Sequence, residues 1–227
     1  MRTQSEYYTP VIGSLLNKLT STPLISPEEY RSTFYSIGIE LSCILNGLLK
    51  SYGSTMVACA SEDADWLAQG LMDSLSAKDP ALAVFWTDRY RYPEKQSVDL
   101  SPIVKSYIED IPDCQTLIII KSIIATSCVV KTQLSRLIET INPENIFIVA
   151  PVMLKEAEQS LREEFPLTIS SKFHFITLAI DDNLNEEGEV VPGIGGMIYS
   201  RLGFGNINQK NKYIPEIVKH RRELKTI

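Results

Sequence analysis

Histidine and paired cysteine are scarce in this 227-residue sequence. The chain has two histidines, and its four cysteines lie at positions 43, 59, 114 and 128 with no Cys-x-x-Cys pair. This spacing does not suit a zinc site, and a chain of this length does not need a disulfide framework. We therefore predict no metal site and reduced thiols, three of the four buried in apolar surroundings.

Long apolar runs and an excess of positive charge are also missing. No run approaches the ~18 apolar residues of a membrane span, and the opening MRTQSEYYTP lacks the apolar core of a signal peptide. Lys and Arg number 22 against 28 Asp and Glu, a formal net charge of −6. That balance argues against a general nucleic-acid surface, although a local basic patch is compatible with it. The sequence predicts a cytoplasmic protein without a membrane or nucleic-acid partner.

Apolar strands alternate with amphipathic helices along the chain. Ser26, Pro27 and Glu29 form a helix N-cap signature, which predicts a helix to about Leu49. We expect residues 1–50 to form an N-terminal helical arm. Buried strands are predicted at 55–60, 81–86, 116–120, 146–150 and 173–180, with helices between them. This pattern predicts one α/β domain over 1–227, with a mostly parallel sheet flanked by helices.

Ligands of such sheets bind beyond the carboxyl ends of the strands, and two segments there have distinctive sequences. The first, KSIIATSC (121–128), lies between a buried strand and a helix, the usual frame of a phosphate-binding loop. The second, AIDDNLNEEGEVVPGIGGMIYSRLGFGN (179–206), contains glycines at 193, 195 and 196. Glycines allow a backbone to approach a flat ligand closely, although a structured loop explains them equally.

The second segment resembles the uracil-binding loop of the uracil phosphoribosyltransferases. The matching positions are Ile180, Asp181, Leu184, Asn185, Glu186, Gly188, Pro192, Gly193, Gly195, Phe204 and Gly205. The stretch IIKSIIATSCV resembles the family's loop for phosphoribosyl pyrophosphate (PRPP), with Ala125 and Thr126 at its centre. The resemblance implies a phosphoribosyltransferase-like fold, a homo-oligomer such as a dimer, and a base, nucleotide or PRPP as ligand. It implies Mg²⁺ only if the protein is an active transferase.

The resemblance carries two sets of candidate site residues. The PRPP-loop positions are Lys121, Ser122, Ala125, Thr126, Ser127 and Cys128. The base-loop positions are Asp181, Val191, Pro192, Gly193, Gly195 and Gly196. We assign no catalytic residue and no metal ligand.

Several family groups are replaced in this chain. Lys121 stands at an acidic position, and Ser127 and Cys128 stand where the family has glycines. An ammonium group cannot accept hydrogen bonds from ribose hydroxyls or hold a divalent cation, and side chains crowd a phosphate cradle. The segment VACASED (57–63), which aligns with the family's pyrophosphate loop, has no arginine and ends in Glu62 and Asp63.

The base loop also differs from the family's sequence pattern. After Gly196 the family's polar residues give way to Met197, Ile198 and Tyr199, which predicts a more apolar surface. The main hypothesis is therefore a catalytically impaired family member that serves as a binding, regulatory or assembly module. The alternative is an active phosphoribosyltransferase for uracil or an altered base.

Smaller alternatives stay open from the sequence. Lys121 either snorkels to the surface or attracts an anion. The stretch 87–95 is either a solvated flap or a relic of the family's flap, in which Arg89 or Arg91 contacts phosphate. Cys128 precedes a helix and is a weak candidate nucleophile. The tail at 207–227 is a solvated basic helix or a docking segment for an acidic partner. Its basic cluster comprises Lys219, His220, Arg221, Arg222 and Lys225.

Overall fold

The computed structural model describes residues 1–49, 51–91 and 99–224. Strands alternate with helices along these residues, as the apolar pattern predicts. The strands are β1 (Arg2–Gln4), β2 (Thr55–Ala60), β3 (Ala81–Thr87), β4 (Tyr90–Arg91), β5 (Asp99–Leu100), β6 (Ile103–Ile108), β7 (Thr116–Ile120), β8 (Ile123–Ile124), β9 (Asn145–Leu154), β10 (Phe173–Asp181), β11 (Asn183–Leu184) and β12 (Val190–Val191). The helices are α1 (Pro10–Leu19), α2 (Pro27–Leu48), α3 (Gln69–Ser74), α4 (Cys128–Leu137), α5 (Ala157–Glu163), α6 (Leu167–Ser170), α7 (Ile198–Arg201), α8 (Ile207–Lys212) and α9 (Glu216–Leu224), and a π-helical turn, Ala64–Ala68, leads into α3.

The main sheet is mostly parallel. Its strand order is β1-β10-β9-β7-β2-β3-β6, with the short β8 paired to β9. The five inner strands run parallel, whereas β1 and β6 pair antiparallel at the two edges. The predicted fold class, a mostly parallel sheet flanked by helices, is therefore confirmed. The two edge strands were not predicted.

Both faces of the sheet are covered, which explains why most residues of its inner strands are apolar. In β2, Val57 and Cys59 join the core formed with α1, α2 and α3, while Met56 and Ala58 join the core formed with α4 and α5. The segment predicted as an arm forms α1 and α2, whose apolar sides are buried in the first core. The predicted cap is confirmed, since Ser26 Oγ accepts a hydrogen bond from the Glu29 N–H at 3.2 Å.

The cysteines differ from the expectation. Cys59 and Cys114 are buried, Cys43 is exposed on α2, and Cys128 is half-buried at the start of α4. The prediction of three buried thiols is therefore wrong, because α2 turns Cys43 to the solvent and the first turn of α4 leaves Cys128 partly open. Among the described residues, no helix is both long enough and apolar enough to cross a membrane.

Candidate functional site

A cleft of about 120 Å³ lies at the carboxyl ends of β2, β3 and β7. One wall comes from the loop after β7 and the start of α4, including Ala125, Thr126 and Val129. The opposite wall comes from residues 188–199, and the rim includes Thr87, Asp88 and Arg89 after β3. The cleft is therefore where the ligand of a parallel α/β sheet is expected to bind.

Lys121 lies at the inner end of this cleft and is buried in an ion-pair cluster. Its Nζ atom is 2.7 Å from Asp63 Oδ2, 3.2 Å from Glu62 Oε1 and 3.0 Å from Ser122 Oγ. Only 7% of the residue is exposed. The alternative in which Lys121 snorkels to the surface is therefore wrong, because the neighbouring strand β2 places two carboxylates within its reach.

A second buried lysine joins the cluster from α8. Lys210 Nζ donates to the Thr87 carbonyl at 2.7 Å and lies 3.6 Å from Glu62 Oε2. Lys210 is fully buried, although the sequence predicted a solvated tail from residue 207 onward. The hydrophilic stretch around it gave no signal that one of its lysines folds inward. We name Glu62, Asp63, Lys121 and Lys210 the buried charge cluster.

The four charges perturb one another in directions set by burial and pairing. Burial opposes ionisation of Glu62, but attraction to Lys121 and Lys210 outweighs it and lowers the pKa of this carboxyl. Burial, together with repulsion from Glu62, raises the pKa of Asp63 despite the nearby Lys121. Burial disfavours the Lys121 ammonium, but Asp63 and Glu62 more than restore it and raise its pKa. Burial lowers the pKa of Lys210. Lys121 is thus held as a cation and is unsuited to act as a base.

The 121–128 loop does not have the backbone of a glycine-built phosphate cradle. Asp79 is the only described non-glycine residue with positive φ, so every residue of the loop keeps negative φ. A nest of amides around an anion commonly alternates right- and left-handed backbone conformations. Ser127 is buried at the N-cap of α4 with no side-chain capping bond, and Thr126 is exposed beside the cleft.

Asp181, the first base-loop position, is bound within the fold. Arg2 donates from Nε and Nη2 to its two carboxylate oxygens at 2.8 and 2.7 Å, and the Gly193 N–H donates to Oδ2 at 2.8 Å. Arg2 also donates to the Gly193 carbonyl at 2.6 Å. Asp181 is fully buried, so these contacts fix the segment after β12 against the sheet edge.

The three glycines of this segment have different surroundings, and all have positive φ. A Cβ atom on Gly193 would meet the Val190 carbonyl oxygen at 2.2 Å, and one on Gly195 would meet the Leu19 carbonyl oxygen at 2.1 Å. Gly196 has no such neighbour within 4 Å and lines the cleft. Gly193 and Gly195 thus allow close backbone packing inside the protein, whereas Gly196 borders the cleft.

The structure brings some of the predicted site residues together and separates others. Those that line the cleft are Lys121, Ala125, Thr126 and Gly196. Those outside its lining are Ser122, Ser127, Cys128, Asp181, Val191, Pro192, Gly193 and Gly195. The predicted apolar replacement is present, since Met197, Ile198 and Tyr199 all line the cleft.

The remaining candidates lie at the margins of the site. Arg89 lines the cleft; the side chain of Arg91 and residues 92–98 fall outside the described part. In the tail, Arg221 pairs with Glu109 at 3.1 Å and Arg222 lies over the Tyr107 ring. These two arginines therefore face the protein, and Lys225 is beyond the described residues.

The cleft does not fit a magnesium ion held by protein carboxylates. Residues 1–49, 51–91 and 99–224 contain no group of three or more His, Cys, Asp or Glu that could hold a metal. The two carboxylates nearest the inner end, Glu62 and Asp63, are already paired with lysines. A cation there would have to displace Lys121.

Comparisons with known proteins agree with this architecture. The family model described as uracil phosphoribosyltransferase matches residues 92–197. The uracil phosphoribosyltransferase of Haloarcula marismortui is 33% identical over 97 residues, which is 41% of each chain. The chain thus matches less than half the length of this curated relative.

Two solved structures align with the chain. The AQ2163 protein from Aquifex aeolicus aligns with a TM-score of 0.67 at 17% identity, over 88% of this chain and 98% of that one. The orotate phosphoribosyltransferase of Mycobacterium tuberculosis, solved with PRPP, aligns with a TM-score of 0.45 at 9% identity, over 75% of this chain and 90% of that one. The first alignment extends over nearly the whole of both chains.

The chain has the mostly parallel α/β fold of the AQ2163 protein. Its residues 92–197 are similar to the uracil phosphoribosyltransferases, as the sequence motifs indicated.

Proposed function

We propose that this chain does not transfer a phosphoribosyl group and acts as a binding, regulatory or assembly module of the uracil phosphoribosyltransferase-like class. The observation that carries the proposal is the contact of Lys121 with Asp63 and Glu62. The PRPP-loop position that should offer an acceptor to the ribose instead offers a cation, and that cation is already bound.

The chemistry of the loop supports this proposal. A lysine ammonium has only hydrogen-bond donors, so Lys121 cannot accept from ribose hydroxyls. The 121–128 loop also lacks positive φ, and Val129 beside it is β-branched and stiff. A phosphate would therefore meet side chains where a cradle should present amides.

The charge at the inner end supports it further. Glu62 and Asp63 lie at the end of β2, where the family's pyrophosphate loop would lie. Their charges are matched by Lys121 and Lys210, so the buried charge cluster has no net positive charge to attract a polyanion. Breaking those pairs to admit one would leave charges unpaired in a buried site, which is costly.

One observation favours a second candidate function, an active phosphoribosyltransferase with an altered base. The cleft is open at the carboxyl ends of the strands and is lined by Thr126, Arg89 and Tyr199, which can all donate hydrogen bonds. In that case Arg89 would contact phosphate from the rim. The family resemblance also supports proposing a cytoplasmic homo-oligomer, which light scattering coupled to gel filtration would test.

The deciding experiment is calorimetric titration of the full chain with PRPP and Mg²⁺, paired with an assay for conversion of uracil to UMP. We expect no saturable heat at millimolar PRPP and no UMP. An active uracil phosphoribosyltransferase, run in parallel, controls for the quality of the reagents. UMP formation would establish the second candidate instead, and saturable binding of PRPP without turnover would contradict the argument from Lys121.

A further inference from the structure

Helix α9 is held by a carboxylate near each of its ends. At its start, Asp65 accepts hydrogen bonds from the Glu216 and Ile217 N–H groups at 2.8 and 2.9 Å. About 7.5 Å further along the helix axis, Arg221 Nη1 donates to Glu109 Oε2 at 3.1 Å. The fold therefore presents an acceptor for the unpaired amides of a helix N-terminus and, beyond it, a second carboxylate for a basic side chain.

The carboxylate of Glu109 is also fixed by contacts within the sheet. It accepts hydrogen bonds from the Leu82 N–H at 2.8 Å and from the Tyr107 hydroxyl at 2.7 Å, and 6% of the residue is exposed. The Tyr107 ring lies against α9, since the Arg222 guanidinium is 5.5 Å from its centroid. We name Asp65, Tyr107 and Glu109 the α9 groove.

Helix α9 is attached to this groove through few apolar contacts. It has nine residues, and its buried residues are Ile217 and Val218. An isolated helix of this length is not stable in water, so its order depends on docking. Segments with few buried apolar contacts open at a lower free energy than the core of a protein. We therefore expect α9 to leave the α9 groove while the sheet stays folded.

The charges of the α9 groove and of the helix that lies on it are opposite. Arg221 and Arg222 of α9 contact the groove, to which Asp65 and Glu109 belong. Charge complementarity of this kind mainly determines which partner is selected. The groove thus matches a short helix with free N-terminal amides, two adjacent apolar residues and, one turn later, arginine. A helix with these features on another polypeptide would make the same contacts.

We infer that the α9 groove is a docking site for a short basic amphipathic helix of another polypeptide, and that α9 blocks this site in cis. The inference goes beyond the proposed function, because Asp65, Tyr107 and Glu109 are not among the described residues that line the cleft. A tethered helix has an effective concentration on the order of millimolar. A partner therefore enters only when α9 is displaced or when its own helix binds more tightly.

The test measures binding of a fluorescent peptide, residues 214–224 of this chain, to the full chain by fluorescence anisotropy. The Arg221→Glu variant of the chain weakens cis docking, because a glutamate would face Glu109, whereas the peptide keeps its arginine. We expect the peptide to bind this variant with a Kd at least about tenfold lower than that for the unsubstituted chain.

Two controls separate docking in the groove from a general effect of charge. Lys219→Glu makes the same charge change on α9, but Lys219 is exposed and pairs with Glu216 of its own helix at 2.5 Å. This variant should bind the peptide within about twofold of the unsubstituted chain. A peptide that itself carries Arg221→Glu should bind the Arg221→Glu chain at least about tenfold more weakly than the parent peptide.

A second measurement needs no variant, so it is decisive even if Arg221→Glu disturbs folding. Amide hydrogen exchange of the unsubstituted chain compares α9 with the buried strands β2 and β7. After correction for intrinsic rates, we expect α9 to exchange at least about 100-fold faster than these strands, because it opens locally. If α9 exchanges only together with β2 and β7, it does not detach and the inference is wrong.

The remaining outcomes distinguish this inference from the proposed function. Binding of PRPP in the cleft would contradict the proposed function and leave the α9 groove unaffected. A peptide that does not bind the Arg221→Glu chain, or binds the Lys219→Glu chain equally well, overturns the inference. An Arg221→Glu chain that dimerises without taking up the peptide also overturns it, since a second copy would then cover the groove.

Discussion

Arg2 donates hydrogen bonds to both carboxylate oxygens of Asp181, at 2.8 and 2.7 Å, although the two residues are 179 positions apart in the sequence. The arginine belongs to the edge strand β1, and the carboxylate ends the neighbouring strand β10. The same guanidinium also donates a hydrogen bond to the Gly193 carbonyl. One side chain therefore joins the sheet edge to the segment that carries one wall of the cleft.

Replacing Arg2 should destabilise the protein through this contact. Arg2→Met would leave the fully buried Asp181 with only the Gly193 N–H. We expect the free energy of unfolding in urea to fall by about 3 kcal/mol, because a buried charge without its partner is costly. Arg136→Met, which breaks an exposed pair with Glu139, is the control and should cost less than about 1 kcal/mol. Equal losses for the two variants would contradict the structural role of Arg2.

Loss of Lys121 should destabilise the protein in a pH-dependent way. In Lys121→Met, Glu62 and Asp63 lose their main attractive partner, so the folded pKa of Glu62 is no longer held down by Lys121, and that of Asp63 rises further above its ordinary value of 3.8. We expect a deficit in the free energy of unfolding of about 3–5 kcal/mol at neutral pH. The deficit should shrink toward about pH 5, because the folded variant then binds more protons than its unfolded chain.

Urea unfolding at several pH values, compared with the unsubstituted chain, measures this deficit. Lys131→Met serves as the control, since Lys131 pairs with Glu164 at an exposed position. Its cost should stay below about 1 kcal/mol at both pH values. A Lys121→Met deficit that does not change with pH would show that the loss of stability does not come from the ionised carboxylates of Glu62 and Asp63.

Alanine should be tolerated much less well at Gly195 than at Gly196. Both glycines have positive φ, so alanine is strained at either position. The added methyl group meets the Leu19 carbonyl oxygen only at Gly195. We expect Gly195→Ala to cost roughly 2 kcal/mol more than Gly196→Ala in thermal or urea unfolding. Equal costs would mean that the backbone there moves aside easily.

The C-terminal helix should loosen if its cap is removed. Asp65 accepts hydrogen bonds from the Glu216 and Ile217 N–H groups, at 2.8 and 2.9 Å, and from the Tyr213 hydroxyl. We expect Asp65→Ala to cost about 1–2 kcal/mol and to speed amide hydrogen exchange across α9. Asp65→Asn, which keeps an acceptor oxygen, should lose less. Unchanged exchange in Asp65→Ala would show that the packing of α9, and not this cap, fixes the helix.

How far the sequence predicts this fold depends on how completely each element is buried. The strands β2 and β7 match their predicted bounds, because every one of their residues is buried and apolar runs mark them. The edge strand β6 escapes prediction, since Val104, Lys105 and Ser106 in its middle are exposed and break the apolar pattern. Short β1 is defined by its pairing to β10, not by its own composition.

The sequence predicted the position of the site but not the ion pairs within it. The motifs placed Lys121 at a strand end and identified Glu62 and Asp63 as acids near the pyrophosphate position. That these charges meet depends on β2 lying beside β7, which no local pattern states. Lys210 reaches the cluster from far along the chain, so residue spacing gives no hint of it.

The buried charge cluster also limits which substitutions its four positions can accept together. An aspartate at position 121, with Glu62 and Asp63 unchanged, would place three carboxylates around Lys210 alone, a combination that buried sites penalise heavily. Replacing Lys121 by an acid is thus disfavoured unless position 62 or 63 also changes. We therefore expect positions 62, 63, 121 and 210 to tolerate changes of charge only in combination.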